Sequence, residues 1–123
     1  MGKPVTVTWL KVPEDQDYPA AQSYLSLIFE EPVAARYVQQ LKAAGTTSFK
    51  AKDIFRSSAL PLLGIGNTHV DKDRVKISAG QGLSPLLLVR DCTAHRTIIA
   101  DGYHRLCAVY SYDEDALIPC KIV

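Results

Sequence analysis

The sequence predicts an α+β fold, a small β-sheet packed by helices. Three observations lead there: an alternating β-branched segment near the start, helical spacing through most of the first half, and a second half built from two short apolar runs around a polar turn, a helical repeat and a last apolar run. The chain has 123 residues, 47% hydrophobic and 22% charged, and its mean hydropathy is zero. That is ordinary globular composition, enough for one domain, residues 1–123, with a core of its own.

In order, Pro4 to Val12 (PVTVTWLKV) reads as a strand, with Val5, Val7 and Trp9 on one face and Thr6, Thr8 and Leu10 on the other. Pro13 to Asp17 is a polar turn. Tyr18, Ala21, Tyr24, Leu25, Ile28 and Phe29 then fall on one helical stripe. Pro32 restarts the pattern from a favourable first-turn position, and Gly45 ends it, which makes a helical hairpin or a kinked helix. Ser48 to Arg56 is expected to be a further helix with Ile54 and Phe55 inward. Leu60 to Asn67 mixes aliphatic residues with Pro and Gly and reads as an ordered loop packed over something. His69 to Ser78 is a short charged helix, and Gly80-Gln81-Gly82 a turn.

Pro85 to Arg90 (PLLLVR) is a continuous apolar run, the mark of a strand covered on both faces. Asp91 to Arg96 forms a hairpin loop, Thr97 to Ala100 the partner strand, Tyr103 to Tyr112 a helix and Leu117 to Val123 a last strand. No internal repeat or low-complexity segment interrupts this series.

Composition narrows the function classes. The formal net charge is +1, so no global field calls for nucleic acid. The balance is uneven: from Thr46 to Arg96 there are eight Lys/Arg against four Asp, a basic middle section. The three cysteines, Cys92, Cys107 and Cys120, have no CxxC spacing and suggest neither a disulfide framework nor a zinc site. His69 with Asp71 and Asp73 lacks a further ligand at a convincing spacing, so no metal site is expected. With no signal-like or membrane-spanning run, the expectation is a soluble cytoplasmic protein.

The chemistry-bearing stretch is Ile98 to Tyr110, where a strand stops at Asp101-Gly102 and a helix begins at once. A helix start offers unpaired N–H groups and the positive end of a dipole, which suit a phosphate. Asp101 is the candidate N-cap, Gly102 the tight turn or close phosphate approach, and Tyr103, His104 and Arg105 line the first turn. Cations in a first turn oppose the dipole, so His104 and Arg105 there point to an anion partner; the alternative is an Arg105 paired with Asp101 or Asp91. Lys52, which precedes the aliphatic loop, is a further candidate phosphate contact. Asp101 and Asp53 are the candidate catalytic carboxylates.

Asp101 to Ala108 and the closing strand resemble the superfamily that joins ParB N-terminal domains, including ParB-like nucleases, with sulfiredoxin. Gly102, His104, Arg105 and Ala108 match a Gly-x-(Arg/His)-Arg-x-x-Ala box, and Ile118 to Val123 (IPCKIV) matches an Ile-Pro-x-Lys-(Leu/Ile)-Val ending. Ser84-Pro85 to Arg90 is similar to the strand before that box. The resemblance covers the last third of the chain. It implies one ParB/sulfiredoxin-like domain with a small mixed sheet, a helical insertion in the first half, and a nucleotide held by the box; the cofactor is left open, a nucleotide with Mg²⁺ being the candidate. Two departures limit it. Tyr103 stands where sulfiredoxins carry their nucleophilic Cys, which disfavours sulfinic-acid reduction. No helix-turn-helix follows the last strand in this sequence, which disfavours ParB-type DNA reading. The expected function is therefore binding of a nucleotide or another phosphorylated ligand at Asp101–Arg105, with phosphoryl transfer or hydrolysis left open. The alternatives are a nucleic-acid-binding or nuclease-like protein and a non-catalytic interaction module.

Overall fold

A computed structural model of the chain describes residues 6–64 and 66–123; Pro4 and Val5 of the expected first strand, and Ile65 of the aliphatic loop, lie outside the described residues. The elements in order are α1 (Asp17–Leu25), α2 (Glu31–Ala43), β1 (Thr47–Lys50), α3 (Ala51–Ser58), α4 (Thr68–Ser78), β2 (Leu86–Asp91), β3 (Arg96–Asp101), α5 (Tyr103–Tyr112) and β4 (Leu117–Ile122). The α+β class read from the sequence holds.

One mixed sheet runs in the order β1-β4-β2-β3. β2 and β3 form the antiparallel hairpin expected around Asp91 to Arg96. The chain then crosses through α5 to β4, which lies parallel to β2, and β1 closes the far edge antiparallel to β4. Because side chains alternate along a strand, the four buried residues of β2 split between two cores. Leu86 and Leu88 pack with Ile54, Val70, Ile77 and Leu106 from α3, α4 and α5. Leu87 and Val89 pack with Ala21, Leu25, Val38 and Leu41 from α1 and α2. A run apolar at every position is what a strand sandwiched between helices requires. The α1–α2 hairpin restarts at Pro32 as expected, with Pro in the first turn of α2.

Lys121 in β4 is 7% exposed and points into the α1–α2 side. Its ammonium donates to the Lys42 carbonyl at 3.1 Å and lies 5.7 Å from the Tyr18 ring centre. Lys42 is in the last turn of α2, where carbonyls lack helix partners and the dipole favours a cation.

Two expectations are corrected. Within the expected first strand, the described residues 6–12 form no strand; only Trp9 bridges to Leu83, through bonds from Leu10 N–H to the Leu83 carbonyl and from Leu83 N–H to the Thr8 carbonyl, each 2.8 Å. The alternation there serves to turn Val7 and Trp9 onto the α3–α5 core. The helix expected from Ser48 begins three residues later, because Thr47–Lys50 is strand β1, paired from Thr47 opposite Cys120 to Lys50 opposite Leu117. All four β1 side chains are exposed, so the strand is held by its ladder and leaves no alternating signature. No helix among the described residues is long and apolar enough to cross a membrane.

Candidate functional site

β3 ends at Asp101 and α5 starts at Tyr103, so the chain turns within one residue. Gly102 makes that turn at φ 106°, ψ 14°, a conformation that costs other residues a steric penalty. A Cβ at this position would also stand 2.7 Å from Leu86 Cγ and 2.9 Å from Arg105 Nη2. The glycine is thus required by backbone shape and by packing together.

Asp101 is not the N-cap that the sequence suggests: Gly102 occupies the cap position, and among the described residues no side chain caps α5. The Asp101 carboxylate instead accepts from Arg105 Nη2 at 3.0 Å, one helical turn away. Arg105 also donates through Nε to the Ser84 carbonyl at 3.0 Å and through Nη2 to the Pro85 carbonyl at 3.4 Å. Of the two readings of Arg105, the paired one describes its contacts. The guanidinium ties β3, α5 and the lead-in to β2 together.

Behind this pair lies Asp17, 5% exposed in the first turn of α1. It accepts from Ser84 Oγ and from the Glu14 N–H at 3.0 Å. Burial, reinforced by the nearby Asp17 carboxylate, raises the Asp101 pKa above its ordinary value although Arg105 pulls it down.

The open side of the corner is a polar cavity of about 210 Å³ between α4 and the start of α5, lined by His69, Lys72, Asp73, Lys76 and residues Asp101 to Arg105. The His69 and His104 rings lie 4.9 Å apart between centres. Burial, then the His69 neighbour, lowers the His104 pKa, with Asp73 pulling the other way. Neither lysine and neither histidine of the cavity makes an ion pair among the described residues. Tyr103 donates its hydroxyl to the Pro61 carbonyl, while Leu60 and Leu63 rest on the core beneath. The aliphatic loop is fastened down beside the corner in this way.

The structure brings together Asp101, Gly102, Tyr103, His104 and Arg105, and leaves Lys52 and Asp53 elsewhere. The Lys52 ammonium is 2.6 Å from Asp115, which raises its pKa, and its N–H donates to the Glu114 carbonyl. That places Lys52 past the far end of α5, about 15 Å along the helix from the corner at 1.5 Å per residue. Asp53 lies 3.8 Å from Arg56 and borders a different cavity, with Phe49, Leu88 and Arg90.

His69, Lys72, Asp73 and Lys76 are absent from the sequence-derived site, although their spacing of three, four and seven puts them on one face of α4. Asp17 and Ser84 give no comparable signal, because only the fold brings Ser84 to Arg105 and Asp17 to Ser84 and Asp101. Among the described residues, no group of three or more His, Cys, Asp or Glu side chains is gathered for a metal ion. No known family model, curated protein or solved structure matches this chain.

Proposed function

We propose that the chain is a ParB/sulfiredoxin-like domain that binds a nucleotide or other phosphorylated ligand in the cavity between α4 and the start of α5. The observation that carries this reading is the lining of that cavity. Two lysines and two histidines face it without ion-pair partners among the described residues, beside a helix start whose cap is a glycine. Backbone N–H groups of the first turn of α5 meet phosphate oxygens, and Lys72 and Lys76 neutralise charge from the other wall. Arg105 supports the site by holding the turn, with its guanidinium already engaged. Mg²⁺ fits here only as a companion of the ligand's phosphates, with Asp73 as the carboxylate to meet it. Asp101 is occupied by Arg105 and Asp53 lies elsewhere, so the reading is one of binding, with no base assigned for hydrolysis.

Thermal denaturation with ATP, CTP or inorganic phosphate, with and without Mg²⁺, tests it. A ligand at a hundredfold its Kd stabilises the fold by about 2.7 kcal/mol, a rise of several degrees for a domain of this size. No rise with any of them overturns the proposal.

A further inference from the structure

We propose that the corner cavity selects a dianionic terminal phosphate over a singly charged phosphodiester, and that His104, packed beside His69, takes up a proton when it binds. This rests on the phosphate-site reading above and adds which phosphate and which residues set the choice.

The argument starts from charge. From α4, Lys72 and Lys76 face the cavity against Asp73, which leaves a single net positive charge. From β3 and α5, Asp101 and Arg105 cancel each other at 3.0 Å. Asp17 keeps its own charge, since its donors Ser84 Oγ and the Glu14 N–H are neutral, but it is buried behind Asp101 and does not line the cavity. Tyr103 adds no charge, since burial raises its pKa above the ordinary phenol value. With neutral imidazoles the residues lining the cavity therefore carry one net positive charge, and a dianion needs at least one more positive group.

That group is the His104 imidazole. His69 comes from the first turn of α4 and His104 from the first turn of α5, with ring centres 4.9 Å apart. Two imidazolium ions so close repel each other, and the start of a helix also disfavours a cation. His104 is held below its ordinary pKa by burial and by the His69 neighbour. A dianion beside the rings reverses both effects and favours protonation. A phosphodiester, whose single charge the lysines already balance, supplies no such drive. Linkage then makes dianion binding tighten as pH falls toward the free His104 titration, and makes binding draw a proton from solution.

The test uses two probes of fixed charge, sulfate at −2 and dimethyl phosphate at −1, with the whole chain. Binding and the imidazole resonances are followed by NMR between pH 8 and pH 6. The expected result is sulfate binding that tightens by up to about tenfold per pH unit as one proton is taken up, with the His104 titration moved upward in the bound state. Dimethyl phosphate is expected to bind more weakly and without pH dependence. His104→Gln should flatten the sulfate dependence. Sulfate binding that ignores pH in the unaltered chain, or dimethyl phosphate binding as tightly as sulfate, overturns the proposal but leaves the phosphate site standing. If neither sulfate nor inorganic phosphate binds at any pH, this inference fails; if ATP and CTP also give no thermal rise, the site reading fails with it.

Discussion

At position 102 any L side chain meets two obstacles, the backbone at φ 106° and the Leu86 side chain, whose Cγ would stand 2.7 Å from the new Cβ. Gly102→Ala is therefore expected to lower stability by about 1–3 kcal/mol, read as a lower urea midpoint with an unchanged m-value. Asp101, one residue earlier, gives a prediction in pH. Its folded-state pKa is raised, chiefly by burial, so the folded state holds the proton more tightly than the unfolded chain does. The resulting stabilisation is complete below the unfolded value near 3.8 and is lost as pH rises through the higher folded value. Asp101→Asn keeps an acceptor for Arg105 and removes the titration. Compared at pH 3.5 and pH 6 by urea unfolding, the wild type should lose stability relative to the variant as pH rises. Equal pH dependence in both chains would refute the assignment.

Among the elements, α4 links fold and site most directly, because its inner face buries Val70 and Ile77 while its outer face carries the cavity's histidine and lysines. Asn67 starts it, accepting from the His69 N–H at 3.0 Å and the Val70 N–H at 3.2 Å. Asn67→Ala should cost about 1 kcal/mol, visible as a fall in Tm of about 3–6 °C, and should weaken phosphate binding with no contact removed from the ligand. The element scale also explains which parts of the structure the sequence announces. α5 and β2 are legible because their patterns arise from burial, with Leu86 to Val89 buried on both faces of the sheet. β1 is not, since its exposed side chains say nothing and its support is the ladder to β4. The alternation at residues 6–12 misleads for the opposite reason: it records which side chains face inward, and two backbone bonds to Leu83 suffice for that. The strand-to-helix turn is legible from Asp101-Gly102, whereas the second wall of the cavity depends on how α4 packs on α5.

For the molecule as a whole, the sheet separates two cores that share β2, so the helices on its two faces are expected to unfold together. Leu88→Ala on one side and Leu41→Ala on the other should each cost about 2–5 kcal/mol. In both variants, fluorescence of Trp9, the one tryptophan, should follow the same transition as far-UV circular dichroism; separate midpoints would show two independent units. The hairpin joining β2 to β3 carries a different consequence. Cys92 is exposed on that turn, while Cys107 and Cys120 are buried. Burial raises the pKa of Cys107 and pushes that of Cys120 up to about 11, so neither offers an accessible thiolate at neutral pH. An aromatic disulfide reagent should accordingly titrate one thiol in the native chain and three after denaturation. The natural sequence thus supplies its own attachment point: a dye or spin label placed on Cys92 would report tumbling, association and ligand arrival from outside the corner, with every residue of the chain left as it is.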